Sequence, residues 1–88
     1  MSDFNDLVEF IYSIKDKELF EDFLFALTTP TERTELVQRV EIVKKLVAGE
    51  TQHETARVLG VGIATVTRAS KELSAGRFKV LRDNHEKN

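Results

Sequence analysis

The stretch Gln52–Lys71, QHETARVLGVGIATVTRASK, decides the fold of this chain. Ala56 is small where two helices must approach closely, and Gly60 follows four residues later, where a tight turn favours positive φ. Leu59, Val61 and Val66 are apolar at positions that face inward between two such helices. Gln52, Ile63, Ala64 and Thr67, expected on the outer side, are small, apolar or uncharged. This is the spacing of a helix-turn-helix, whose second helix can lie in a DNA major groove without clashing.

Working outward, helical periodicity continues in both directions. Phe4, Leu7, Val8, Ile11 and Ile14 recur at three- and four-residue steps, and Leu19, Phe20, Phe23, Leu24 and Leu27 do the same. Phe10, Tyr12 and Phe25 fall off those two faces. Two short helices cannot bury so many aromatic rings between themselves, so the surplus predicts a partner surface for a second copy of the chain. Thr29-Pro30-Thr31-Glu32 predicts a capped helix start, with Thr29 as cap, Pro30 at the first helical position and Glu32 completing a capping box. The long helix that follows should turn Leu36, Val37, Val40, Val43, Leu46 and Val47 to its apolar side and end at Gly49. Beyond the motif, Ser74-Ala75-Gly76 breaks the chain, and Phe78, Val80 and Leu81 offer a short apolar anchor. The expectation is all-α: one domain over residues 1–82 and a frayed tail over 83–88.

Composition bounds the function. At 88 residues the chain builds only a modest core, which oligomerisation would supplement. With no cysteine there is no disulfide framework and no thiolate metal site. The longest apolar run, Phe23 to Leu27, is far too short to cross a bilayer, and MSDFND lacks the basic-then-apolar order of a secretory signal. The expected compartment is the cytoplasm, without a membrane partner. The net charge of −2 hides an asymmetry. Residues 1–50 carry eleven acids and six bases, a balance of −5, whereas residues 51–82 carry six bases and two acids, +4, and residues 83–88 add −1. Basic charge on and just after the motif, with acid elsewhere, suits a face that meets phosphates.

No serine–histidine–acid motif and no glycine-rich phosphate loop is present, and the two histidines, His53 and His85, cannot supply three or four metal ligands. The reading is therefore not an enzyme, with no catalytic and no metal-binding residue. Ile63, Ala64 and Thr67 are expected to face base edges, with Gln52 and His53 supporting from the first motif helix and Lys71, and Arg57 beside it, reaching phosphates. A second class stays open: a protein-interaction module that uses the same helix-turn-helix surface, and the acidic half, without binding DNA.

From about Leu27 to Leu73 the chain resembles the Trp repressor family, in TPTER, in LVQRVEIVKKLVAGE and most specifically in GIATVTRAS. The run LVEFIYSIKDKELFEDFLFAL, with GETQHE, looks closer to the Trp-repressor-like proteins of unassigned ligand found in many bacteria. The resemblance implies an intertwined, all-helical homodimer acting as a transcriptional repressor on a double-stranded DNA operator. The spacing of its two reading heads, about one DNA turn, is a known property of Trp repressor docking taken over with the resemblance. It also implies a co-repressor site, in which Arg39 and Arg68 sandwich a planar ligand such as L-tryptophan and Thr29 offers a backbone ligand to its ammonium group. The chain departs from the family there. Ala69 replaces a glycine and Glu72 replaces the serine near the ammonium. Ala26 and Thr28 stand for pocket leucines, the turn into the motif is one residue shorter, and the tail is too short for the family's full last helix. These departures predict weak tryptophan binding or none, and leave open another ligand or none.

Overall fold

A computed structural model describes the backbone of residues 3–87 and the side chains of residues 3–83. It is helical, with no strand among the described residues, and its contacts divide it into two compact units, Met1–Thr34 and Glu35–Asn88, where the sequence suggested one domain.

In the first unit, short polar side chains set the helix ends. Helix α1, Phe4–Ser13, is capped by Asp3, whose carboxylate accepts from the Asp6 N–H at 2.9 Å. Helix α2, Lys17–Leu27, starts in the same way, Asp16 accepting from the Leu19 N–H at 3.1 Å. Extended backbone at Ile14 and Thr28 ends each of them. The expected capping box opens α3, Pro30–Val47: the Thr29 N–H donates to Glu32 Oε1 at 2.8 Å, and the Glu32 N–H donates to Thr29 Oγ1 at 3.1 Å. Arg33 ties the α2–α3 corner together, donating to the carbonyls of Phe25 and Thr28 at 2.8 and 2.7 Å while its guanidinium lies 3.8 Å from the centre of the Phe25 ring. Phe10 and Phe23 pack with ring centres 5.2 Å apart.

The division falls inside α3, and the rest of that helix belongs to the second unit. At its end the Glu50 N–H reaches back to the Lys45 carbonyl and the Gly49 N–H to that of Leu46, a closure that needs the left-handed φ of +99° at Gly49. Helix α4, Gln52–Leu59, is capped by Thr51, and a three-residue turn leads to α5, Ile63–Ser74. Gly60 takes φ +67° in that turn, and the Val61 N–H closes onto the Ala56 carbonyl at 3.0 Å.

The core of this unit joins Ile42 and Val43 of α3 to Val66 and Ala69 of α5, all shut off from solvent. Leu46, Val47, Ala56, Leu59, Val61, Leu73, Phe78 and Leu81 pack around them. Two sequence expectations are corrected here. Ile42, absent from the predicted apolar side, is fully buried, whereas Leu36, Val37 and Val40 are 40, 66 and 38% exposed. The apolar stripe of α3 is wider than the patch α5 covers, and periodicity does not say which part is covered. The second correction concerns the tail. Helix α6, Lys79–Lys87, carries helical backbone through residues expected to fray, because Phe78 and Leu81 on the core hold its first turn. Asn88 and the His85 side chain lie outside the described residues.

Candidate nucleic-acid interface and the cavity beside it

Helices α4 and α5 pack on each other through Val66, Ala56, Leu59 and Val61, and leave the start of α5 open to solvent. Ile63 is 41% exposed and Ala64, His53 and Lys71 are exposed. Nothing lies within 4 Å of a Cβ built on Gly60 or Gly62, so the turn itself is also open. The first turns of α5 thus present a small, uncharged surface with a lysine farther along, and no acid before Glu72.

Two expected site residues are engaged within the protein. Gln52 is half-buried: its side-chain oxygen accepts from Thr67 Oγ1 at 2.8 Å and its amide nitrogen donates to Ser70 Oγ at 3.2 Å. Arg57 is held by Glu54, with Nε on Oε2 at 3.0 Å and Nη2 on Oε1. That hydrogen bond outweighs the opposing effect of desolvation and, helped by the charges of Arg57 and Lys45, holds the Glu54 carboxyl below its ordinary range, and Glu54 raises Arg57 in turn. A phosphate contact by Arg57 must displace this pairing. Ser70 went unnoticed in the sequence. Its signal was its position one helical turn after Thr67 on α5.

Beside the motif lies a cavity of about 530 Å³. Glu35, Gln38 and Arg39 line it from α3, and Thr65, Arg68, Ala69 and Glu72 from α5. The Phe78 ring forms a further wall, on a backbone at φ +60° that only a well-held side chain keeps. Arg39, Arg68, Ala69 and Glu72 thus line one cavity. Arg39 Nη2 stands 3.9 Å from Glu35 Oε2, an exposed and loose pair. Among the described residues the Arg68 and Glu72 side chains have no hydrogen-bond or ion-pair partner. Thr29 belongs to the first unit, where its N–H, hydroxyl and carbonyl all serve the start of α3. Among the described residues no group of three or more His, Cys, Asp or Glu could hold a metal ion, and no helix is long and apolar enough to cross a membrane.

These features define a helix-turn-helix protein with a charged cavity against its second motif helix. A family model described as Trp repressor protein matches residues 2–82. Similar proteins named Trp operon repressor homolog include one from Vibrio campbellii, 45% identical over 74 residues, 83% of this chain and 74% of the relative. Others are from Vibrio cholerae, 41% identical over 75 residues (84 and 73%), and Aliivibrio fischeri, 39% identical over 75 residues (84 and 69%). The chain belongs to the Trp repressor family, which is regulatory and not enzymatic.

Proposed function

We propose that the chain is a sequence-specific DNA-binding repressor that acts as a homodimer, with α5 as its reading helix. The observation that carries this reading is the open, uncharged start of α5 at Ile63 and Ala64, inside the stretch of the chain where bases outnumber acids. Ile63, Ala64 and Thr67 face base edges; Gln52 and His53 support them; Lys71 meets a phosphate. The homodimer is supported by the apolar side chains that the single chain leaves exposed, Phe4, Tyr12, Leu19 and Leu27 among them. A DNA partner puts its work in the cytoplasm.

The test is Ala64→Glu, which sets a carboxylate against the duplex. Operator binding, followed by fluorescence anisotropy, is abolished while the helical circular dichroism stays unchanged. Binding of the wild type weakens steeply with salt, as phosphate contacts require. A salt-insensitive partner and an indifferent Ala64→Glu variant would instead mark a protein-interaction module.

The cavity between α3 and α5 is the proposed effector site, with Arg39, Arg68 and Glu72 as its charged groups. A ligand there ties α5 to α3 and so sets the spacing of the reading heads. The Ala69 methyl and the Glu72 carboxylate narrow and recharge the space that the family gives to tryptophan. Calorimetric titration with L-tryptophan is expected to show weak binding or none. Micromolar affinity that is lost in Arg68→Ala would restore tryptophan as the co-repressor.

A further inference from the structure

We infer that Gln52 sets the hydrogen-bond polarity of the reading helix: by taking up the Thr67 hydrogen and donating to Ser70, it leaves Thr67 an acceptor and Ser70 a donor toward the groove. The inference rests on α5 being the reading helix. Gln52 is the first residue of α4, and it grips two hydroxyls one helical turn apart on α5. The lengths orient the amide. The contact to Thr67 is 2.8 Å, usual for O–H···O, and that to Ser70 is 3.2 Å, within the range of N–H···O.

A hydroxyl owns one hydrogen. That of Thr67 points at Gln52 Oε1, so lone pairs and the γ-methyl are what Thr67 has left. Ser70 receives the Gln52 N–H on a lone pair and keeps its own hydrogen uncommitted. In the major groove an acceptor suits the exocyclic amino group of adenine or cytosine and is repelled by N7, O6 or O4. The γ-methyl suits a thymine methyl. A donor at Ser70 suits N7, O6, O4 or a phosphate oxygen. Gln52 therefore acts as a positioning residue, spent on α5 and not on a base of its own. All three side chains are half-buried, which shields the bridge from competing water.

The test compares the wild type with Gln52→Leu, Gln52→Glu and Thr67→Val, each selected against a pool of randomised duplexes and then titrated at fixed salt. The wild type enriches one base pair whose amino edge meets Thr67. Thr67→Val and Gln52→Leu both lose the preference at that same base pair, binding the selected duplex about tenfold more weakly, the size of one base-edge contact. The double variant loses no more than Thr67→Val alone. Gln52→Glu still accepts from Thr67, so it keeps the preference at that base pair; its carboxylate also takes the Ser70 hydrogen, so any preference read by Ser70 is lost while the added charge weakens binding generally. The inference is overturned if Gln52→Leu keeps the preference, weakens all duplexes uniformly, or changes a base pair that Thr67→Val leaves alone. Should Gln52→Leu melt below the assay temperature, Gln52→Glu carries the test: loss of the Thr67 preference in that variant overturns the inference. A wild type that selects no duplex fails before any variant is made, and removes the reading-helix assignment itself.

Discussion

Helices α1 and α2 bury no side chain fully, while α3, α4 and α5 close Ile42, Val43, Val66, Thr55 and Ala69 off from solvent. Yet α1 and α2 are the more apolar helices, and their ends are as well capped. Capping decides where a helix begins, and core decides what holds it in place. The first unit has caps, an Arg33 clasp and one aromatic pair. The second has a small core in which Ile42, Val43 and Val66 have no exposure at all. The difference teaches that apolar content alone does not make a core. Apolar side chains left open in the single chain call for a partner, the place that the proposed homodimer gives to a second copy of the chain.

The comparison breaks most directly on one core residue and one exposed one. Ile42→Ala, at a site with no exposure, should cost about 2–5 kcal/mol in urea unfolding. Tyr12→Ala, at a site 87% exposed, should cost no more than about 0.5 kcal/mol when the chain is dilute enough to be monomeric. Equal costs would mean that the first unit has a core of its own. Self-association should show the reverse order. Leu19 is 65% exposed in the single chain, and Leu19→Asp should weaken association at least about tenfold, since burying a leucine contributes about 1.5–3 kcal/mol. Sedimentation equilibrium at micromolar concentration measures this. A stable wild-type monomer would overturn the partner-surface reading.

The turn sharpens the comparison at smaller scale. Gly60 holds φ +67° with open space where a Cβ would go, so Gly60→Ala meets backbone strain and no clash. It should lower stability by about 1–2 kcal/mol. The loss should appear as faster amide exchange in α4 and α5 and leave α1 and α2 unaffected. A loss spread over both units would mean that they unfold as one.

The helix boundaries were legible because local chemistry sets them: Pro30 with its Thr29–Glu32 box, and left-handed Gly49, Gly60 and Gly76. What periodicity could not supply was closure. Ile42 and Leu36 look alike in a sequence, and only the placement of α5 makes one core and leaves the other open. The polar run after Leu81 reads as a loose end until Phe78 is seen anchoring it. At the candidate site, Arg39 and Arg68 were legible through resemblance, and both line one cavity. The Gln52–Thr67–Ser70 bridge was not, because its members are 15 and 18 residues apart and meet only through the packing of α4 on α5. Glu35, Gln38 and Phe78 were missed as cavity walls for the same reason.

The smallest expected effect belongs to Glu54 and Arg57, an exposed pair on α4. Hydrogen bonding to Arg57 lowers the Glu54 pKa in the folded chain from its ordinary 4.5. A carboxyl lowered on folding stabilises the folded state fully above its unfolded pKa, and that contribution fades as pH falls through the lowered folded value. The pair should therefore help at pH 6–8, and acid below about pH 4.5 should remove the help progressively. Glu54→Gln, compared with the wild type by urea unfolding across this range, should be slightly less stable near neutrality and converge with it in acid. Because the pair faces solvent, molar salt should shrink the neutral-pH difference as well. The second unit draws its stability from Ile42, Val43 and Val66, so its urea midpoint should move far less in Glu54→Gln than in Ile42→Ala. A Glu54→Gln effect as large as that of Ile42→Ala, or one that grows toward acid, would show that surface charge and not the small core holds the motif together.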